Sequence, residues 1–150
     1  MSSQTSHVSL NSGLIYDDRV DELSRALDAE PYCTNVDGFH LCIEKGVFPA
    51  DRTPSSGFLG SLVRNYSPEI ALDMGCGCGL LALILRRNRV PLVYASDIHP
   101  PAIECSKRNF RMNQRFGESI ETCLGDLYDG IESSVLFNLI VFKGICTCLK

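Results

Sequence analysis

The chain of 150 residues has no apolar run long enough to cross a bilayer, so no segment reads as a transmembrane helix. Its opening, MSSQTSHVSLNSG, contains neither Lys nor Arg and no apolar block. A secretory signal needs the basic-then-apolar order, and a mitochondrial presequence needs arginines. Both readings are disfavoured, and residues 1–16 read as a disordered tail. Positive charge is not in excess either. The formal net charge is −4, so nothing global recruits nucleic acid. A Gly-Lys-Ser/Thr sequence is missing, which excludes a Walker-type phosphate loop. There is no internal repeat.

Cysteine, by contrast, is plentiful. Eight cysteines without a secretory signal fit a reducing, cytoplasmic compartment. Cys33, Cys42, Cys105 and Cys123 stand singly among apolar or mixed neighbours and read as small hydrophobes. Cys76/Cys78 and Cys146/Cys148 are C-x-C pairs, not the usual C-x2-C of zinc sites, and the first lies in a loop with another evident use. No metal site is expected. Basic residues cluster once: Arg86, Arg87, Arg89, Lys107, Arg108, Arg111 and Arg115 face only Asp97 and Glu104 between Ile84 and Phe116. They read as solvated helix faces, with a basic rim for an RNA-linked substrate as the sharper alternative.

Periodicity orders the elements. In DDRVDELSRALDA, Val20, Leu23 and Leu27 share a helical face, which predicts an amphipathic helix from about Asp17 to Ala29. GFHLCIEKGVF alternates around Phe39, Leu41 and Ile43, predicting a short hairpin turning at Lys45-Gly46. The loop PADRTPSSG and a short helix FLGSLVRNY follow. From Glu69 the rhythm changes to strand EIALDM, helix GLLALILRRN, strand PLVYASDI, helix PPAIECSKRNFRMNQRF, strand SIETCL, a turn or short helix DLYDGI, and strand LFNLIVF. Ala102, Ile103, Ser106 and Phe110 form the expected buried face of the second helix. Alternating strands and helices predict an α/β fold. It is a Rossmann-like, doubly wound parallel sheet of about four main strands, with right-handed crossovers and helices on both faces.

The stretch LDMGCGCGLL carries the chemistry. Gly75, Gly77 and Gly79 follow a strand and open a helix, where backbone can approach a ligand and helix N–H groups point at it. A dinucleotide loop, G-x-G-x-x-G/A, needs a small residue at position 80, and this chain has Leu80. That disfavours an NAD-dependent oxidoreductase. An NAD pocket must also hold a pyrophosphate. S-adenosylmethionine has none, but brings an ammonium and a sulfonium, which suits the carboxylate of Asp73. Asp97 ends the second strand about 20 residues past the glycines, where an acid accepts ribose hydroxyls. Asp126 follows the third strand and could accept an adenine amino proton. Capping or turn roles stand beside these for Asp97 and Asp126.

ALDMGCGCGLLAL, ASDIHPPAIECSKRNFRMN, CLGDLYD and FNLIVF resemble the class I S-adenosylmethionine-dependent methyltransferases. They look most like the branch of release-factor glutamine methyltransferases and small-domain N-methyltransferases of ribosomal RNA bases. The likeness covers about Gly38 to Phe142, because GVFPADRTPSSGFL looks like that branch's pre-domain loop. It implies that Asp73, Gly75, Cys76, Gly77 and Gly79 line the methionine half of the cofactor. Asp97 would bind the ribose, Ile98 would pack on the adenine, and Asp126 with Leu127 would hold its edge. Ser55 or Ser56 would reach the site from the pre-domain loop. Residues 17–66 would form an N-terminal helix, hairpin and pre-domain loop, and 67–150 a cofactor-binding half-domain.

Two departures stand out. The branch runs from its fourth strand into Asn-Pro-Pro-Tyr/Phe, which holds a planar amide or amino group. Here the strand meets Lys143-Gly144-Ile145-Cys146, and Lys has no acceptor to offer. The family fold also has further strands, so the chain reads as truncated after strand four. In the family's order that strand would be an open edge. The expected function is therefore an N-methyltransferase with a protein Gln or nucleic-acid base as acceptor, with no membrane role. The alternative is a non-catalytic module that binds cofactor, or a partner chain at the strand-four edge.

Overall fold

In the computed structural model of the chain, residues 24–52, 54–66 and 68–142 are described. The tail expected over 1–16, the beginning of the helix expected from Asp17, and the segment KGICTCLK lie outside them. Of that first helix, residues 24–27 are described and are helical. Among the described residues no helix is long and apolar enough to cross a membrane.

A hairpin comes first, formed by β1 (Tyr32–Val36) and β2 (Phe39–Ile43) in antiparallel register. Its turn is Asp37-Gly38, with φ of 54° and 83°. Two successive positive φ values match the twist of the flanking strands, and Asp-Gly is a favoured pair for that turn. This corrects the expected hairpin, which turned at Lys45-Gly46. That pair is a separate turn after β2, where Gly46 has φ 77°. A second correction concerns Cys33 and Cys42. They do not stand alone but face each other across the hairpin and are joined as a disulfide.

Helix α1 (Pro54–Val63) leads to a four-stranded parallel sheet of β3 (Ile70–Met74), β4 (Leu92–Asp97), β5 (Ile120–Leu124) and β6 (Leu139–Phe142). The strand order is β5-β4-β3-β6. Helix α2 (Leu80–Arg87) joins β3 to β4, and α3 (Pro100–Met112) with the short α4 (Gln114–Gly117) joins β4 to β5. Helix α2 is buried from Leu80 to Leu85 and ends on Arg86 and Arg87, as its dipole favours. Each such leucine contributes about 1.5–3 kcal/mol by leaving water. Helix α3 begins with Pro100 and Pro101, whose missing N–H groups cost nothing in a first turn. It buries the expected Ala102, Ile103, Ser106 and Phe110, and also Cys105 and Asn109.

The core joins α2, α3 and the hairpin to Ala71, Val93, Ala95, Ile120 and Val141. Side chains alternate along a strand, so these residues mark one face of the sheet. The described long helices thus share a face, where helices on both faces were expected. The cause is the direction of winding. Steps from β3 to β4 to β5 run the same way across the sheet, and right-handed crossovers then stack on one side. The chain reverses only between β5 and β6. That return, residues 125–138, contains no helix and crosses the other face, where Phe137 packs edge-on against Tyr94 with centroids 5.4 Å apart.

Candidate functional site

The reversal of direction opens a crevice at the carboxyl ends of the strands between β3 and β6, the place where open α/β sheets bind ligands. A cleft of about 720 Å³ lies there. Gly75, Cys76 and Gly77 enter it from β3, Asp97 and Ile98 from β4, and Asp126 and Leu127 from β5. The structure therefore brings together all three acid-bearing strand ends that the sequence singled out.

The glycine loop is held by backbone bonds. Gly75 and Cys76 N–H both donate to the Ser96 carbonyl, at 2.8 and 2.9 Å. Gly77 N–H donates to Asp97 Oδ2 at 2.9 Å, and His99 N–H to Asp97 Oδ1 at 2.9 Å. Asp97 thus organises the loop of β3 and the turn of β4, and its lone pairs still border the cleft. Gly75, Gly77 and Gly79 all have positive φ. Their surroundings differ. A Cβ on Gly77 would meet nothing within 4 Å, whereas one on Gly79 would sit 2.5 Å from Phe110 Cε1. Gly79 is the residue that lets α3 approach the loop, which explains why position 80 can be leucine.

Asp73 is 1% exposed, and its Oδ2 accepts from Ala82 N–H at 3.0 Å. Its carboxyl therefore lies beneath the loop, at the N-terminus of α2. Cys76 is buried, and its thiol is pushed well above the ordinary range by burial first, then by Asp73 and Asp97. That environment disfavours the thiolate, which is the nucleophilic form. Ile98 is 66% exposed and Leu127 51%, so two apolar side chains flank the opening. Leu127 has φ 51° and its carbonyl accepts from Ser96 Oγ at 3.5 Å. Asp126 is exposed at the rim.

Sequence reasoning missed part of the wall. Gly46, Val47, Phe48 and Ala50 line the cleft, as do Met74, His99 and Phe142. The loop after β2 is near in space because Asn109 of α3 fixes the strand. Its Nδ2 donates to the Cys42 and Cys78 carbonyls at 3.0 and 2.8 Å, and its Oδ1 accepts from Cys42 N–H at 2.8 Å. The side chains of Ser55 and Ser56 lie outside the described residues. The basic stretch is largely spent on structure. Arg87 donates to Asp37, Arg108 to Glu44, and Arg86 to the carbonyls of Val90 and Pro91.

Among the described lining residues there is no Lys or Arg, while Asp73, Asp97 and Asp126 are all present. The arrangement favours a cationic ligand with an apolar flat part over a phosphate. Residues 38–143 match the family model described as Methyltransferase small domain. Over 72 residues the chain is 39% identical to the ribosomal protein L11 methyltransferase of Agrobacterium fabrum, covering 47% of this chain and 25% of that enzyme. With the enzyme of the same name from Ruminiclostridium cellulolyticum it shares 26% identity over 123 residues, 75% of this chain and 39% of that one. The chain thus spans well under half the length of these curated relatives. Among solved structures, TYW2 of M. jannaschii in complex with AdoMet superposes with a TM-score of 0.52 at 18% identity, over 64% of this chain and 43% of that one. That likeness concerns the fold. The glycine loop, the sheet order and the match over 38–143 place this chain in the methyltransferase small-domain family, whose cofactor is S-adenosylmethionine.

Proposed function

We propose that the cleft holds S-adenosylmethionine and that the chain is the cofactor-binding part of an N-methyltransferase. The observation that carries this reading is the charge of the lining, with three carboxylates and no Lys or Arg among the described lining residues. A pyrophosphate would face those acids with no Lys or Arg to offset them. An ammonium and a sulfonium gain from them.

In this reading Gly75, the Cys76 backbone and Gly77 line the methionine half, above the buried charge of Asp73. Gly79 shapes the loop for that contact. Asp97 accepts the ribose hydroxyls while it holds Gly77 and His99. Ile98 packs on the adenine face, and Asp126 and Leu127 take the adenine edge. When bound, the cofactor supplies a methyl group made electrophilic by the sulfonium. The chain contributes position and a water-poor wall, from Val47, Phe48 and Leu81. The segment before residue 67 supplies one side of that wall, and 67–150 supplies the strand ends. The acceptor is a nitrogen of a protein or RNA, in a cytoplasmic setting. The activity named for the curated relatives favours a protein.

A second reading rests on β6. Among the described residues it has one sheet neighbour, and its Ile140 and Phe142 are 42% and 59% exposed. A module completed by a partner chain along this edge would fit the single neighbour. Calorimetric titration of the purified chain tests the first reading. Saturable binding of S-adenosylmethionine and S-adenosylhomocysteine is expected, with NAD at least tenfold weaker. NAD binding as tight or tighter overturns the cofactor assignment.

A further inference from the structure

One face of the hairpin gathers a donor set that the cofactor cleft does not use. Cys33 lies opposite Cys42, and Asn35 opposite His40. Strand alternation puts Cys33, Cys42 and His40 on the same face. Their sulfur atoms and an imidazole nitrogen all lie within 4.8 Å of one another. Cys33 and His40 are exposed, and none of the three lines the cofactor cleft.

We propose that this face is a thiol-gated metal site. Reduction of the Cys33–Cys42 disulfide frees two thiols whose sulfurs, once deprotonated, bind a zinc-class cation with His40, and the disulfide form does not bind it. An external dithiol is the reductant. It gives two electrons and two protons to the S–S bond and becomes a disulfide itself. The cation then displaces the two thiol protons. Tetrahedral zinc holds thiolate sulfur at about 2.3 Å and imidazole nitrogen at about 2.0–2.1 Å, so its donors are roughly 3.5–3.8 Å apart. The sulfurs need only separate, and the imidazole needs a shift of about 1 Å at most to enter that range. Two sulfurs and one nitrogen select zinc-like ions over magnesium or calcium, and leave a fourth position for water.

The backbone under two of the ligands is already fixed. Asn113, which caps the end of α3, accepts from His40 N–H at 3.2 Å and donates to the His40 carbonyl at 2.8 Å. Asn109 grips both polar backbone groups of Cys42. Metal uptake therefore orders side chains and not strands, which keeps its entropic cost small.

The test uses the purified full chain, oxidised or reduced with a phosphine, and Co²⁺ as probe in the absence of air. The reduced chain should gain tetrahedral cobalt bands and thiolate charge-transfer absorption at one equivalent, and Zn²⁺ should displace them. The oxidised chain should gain neither. Cys33→Ser should abolish the signal. His40→Gln, which keeps both thiols and the Asn113 contacts, should weaken binding at least tenfold. A Cys146→Ser/Cys148→Ser variant should bind like wild type. The proposal is overturned if the reduced chain gives no cobalt bands, if the oxidised chain gives the same ones, or if the signal survives His40→Gln unchanged. Loss of the signal in the Cys146/Cys148 variant alone would overturn it as well.

Discussion

Gly77 and Gly79 sit in one loop with similar backbone angles, yet their neighbours assign them different tasks. Gly79→Ala drives a Cβ to within 2.5 Å of Phe110 Cε1 at a residue with φ 84°. Overpacking and left-handed strain together should cost about 2–4 kcal/mol in urea unfolding. Gly77→Ala meets no atom within 4 Å, so its structural cost should be about 1 kcal/mol. Its Cβ opens towards the cleft, and S-adenosylmethionine affinity should fall at least tenfold. Normal affinity in folded Gly77→Ala would remove the loop from the site. Asn109 makes the third contrast. Asn109→Ala leaves three backbone groups of β2 and the glycine loop without their partner, and should destabilise the chain by roughly 3 kcal/mol. The glycines and acids were legible in the sequence because their chemistry is local to strand ends. Asn109 was not, because its partners lie 67 and 31 residues away and KRNFRM looks like a solvated turn of helix.

At the scale of elements, the hairpin is fastened to the helices at both ends. Its strand β2, which packs on α3, would be an open edge, and the carboxamides of Asn109 and Asn113 fill that edge as a neighbouring strand would. Its turn is fastened by Asp37, which accepts from Arg64 at 2.5 Å and also from Arg87. Burial alone pushes the Asp37 carboxyl up, but the two guanidinium bonds outweigh it and hold the group below its ordinary value. The folded value then lies under the unfolded one. The clamp's contribution is present above the ordinary carboxylate range, near pH 4, and is lost as pH falls through the lower folded value. Asp37→Asn should flatten this acid limb of stability in thermal melts across pH, and an unchanged limb would assign it to other groups. The parallel strands and their helices were legible because apolar runs and glycine boundaries mark them. The first hairpin strand, YCTNV, was not. Polar Thr34 and Asn35 break its apolar pattern, and Lys45-Gly46 offers a second turn signal beside Asp37-Gly38.

For the whole molecule, winding direction decides where function sits. The sheet order β5-β4-β3-β6 sets the crevice beside β3. Periodicity alone did not give the one-sided helices, since the face that a helix takes depends on crossover direction and not on its own residues. Nor did it give the wall from the loop after β2, which the long-range clasp of Asn109 brings to the crevice. The central claim is that S-adenosylmethionine lies across the carboxyl ends of β3, β4 and β5. The most direct test is amide chemical-shift mapping of the labelled chain titrated with S-adenosylhomocysteine. The account predicts the largest shifts at Gly75, Cys76, Gly77, Ile98, Asp126 and Leu127, with the hairpin face of Cys33 and His40 unmoved. Saturable shifts confined to another surface, or none in a folded chain at millimolar ligand, would contradict it.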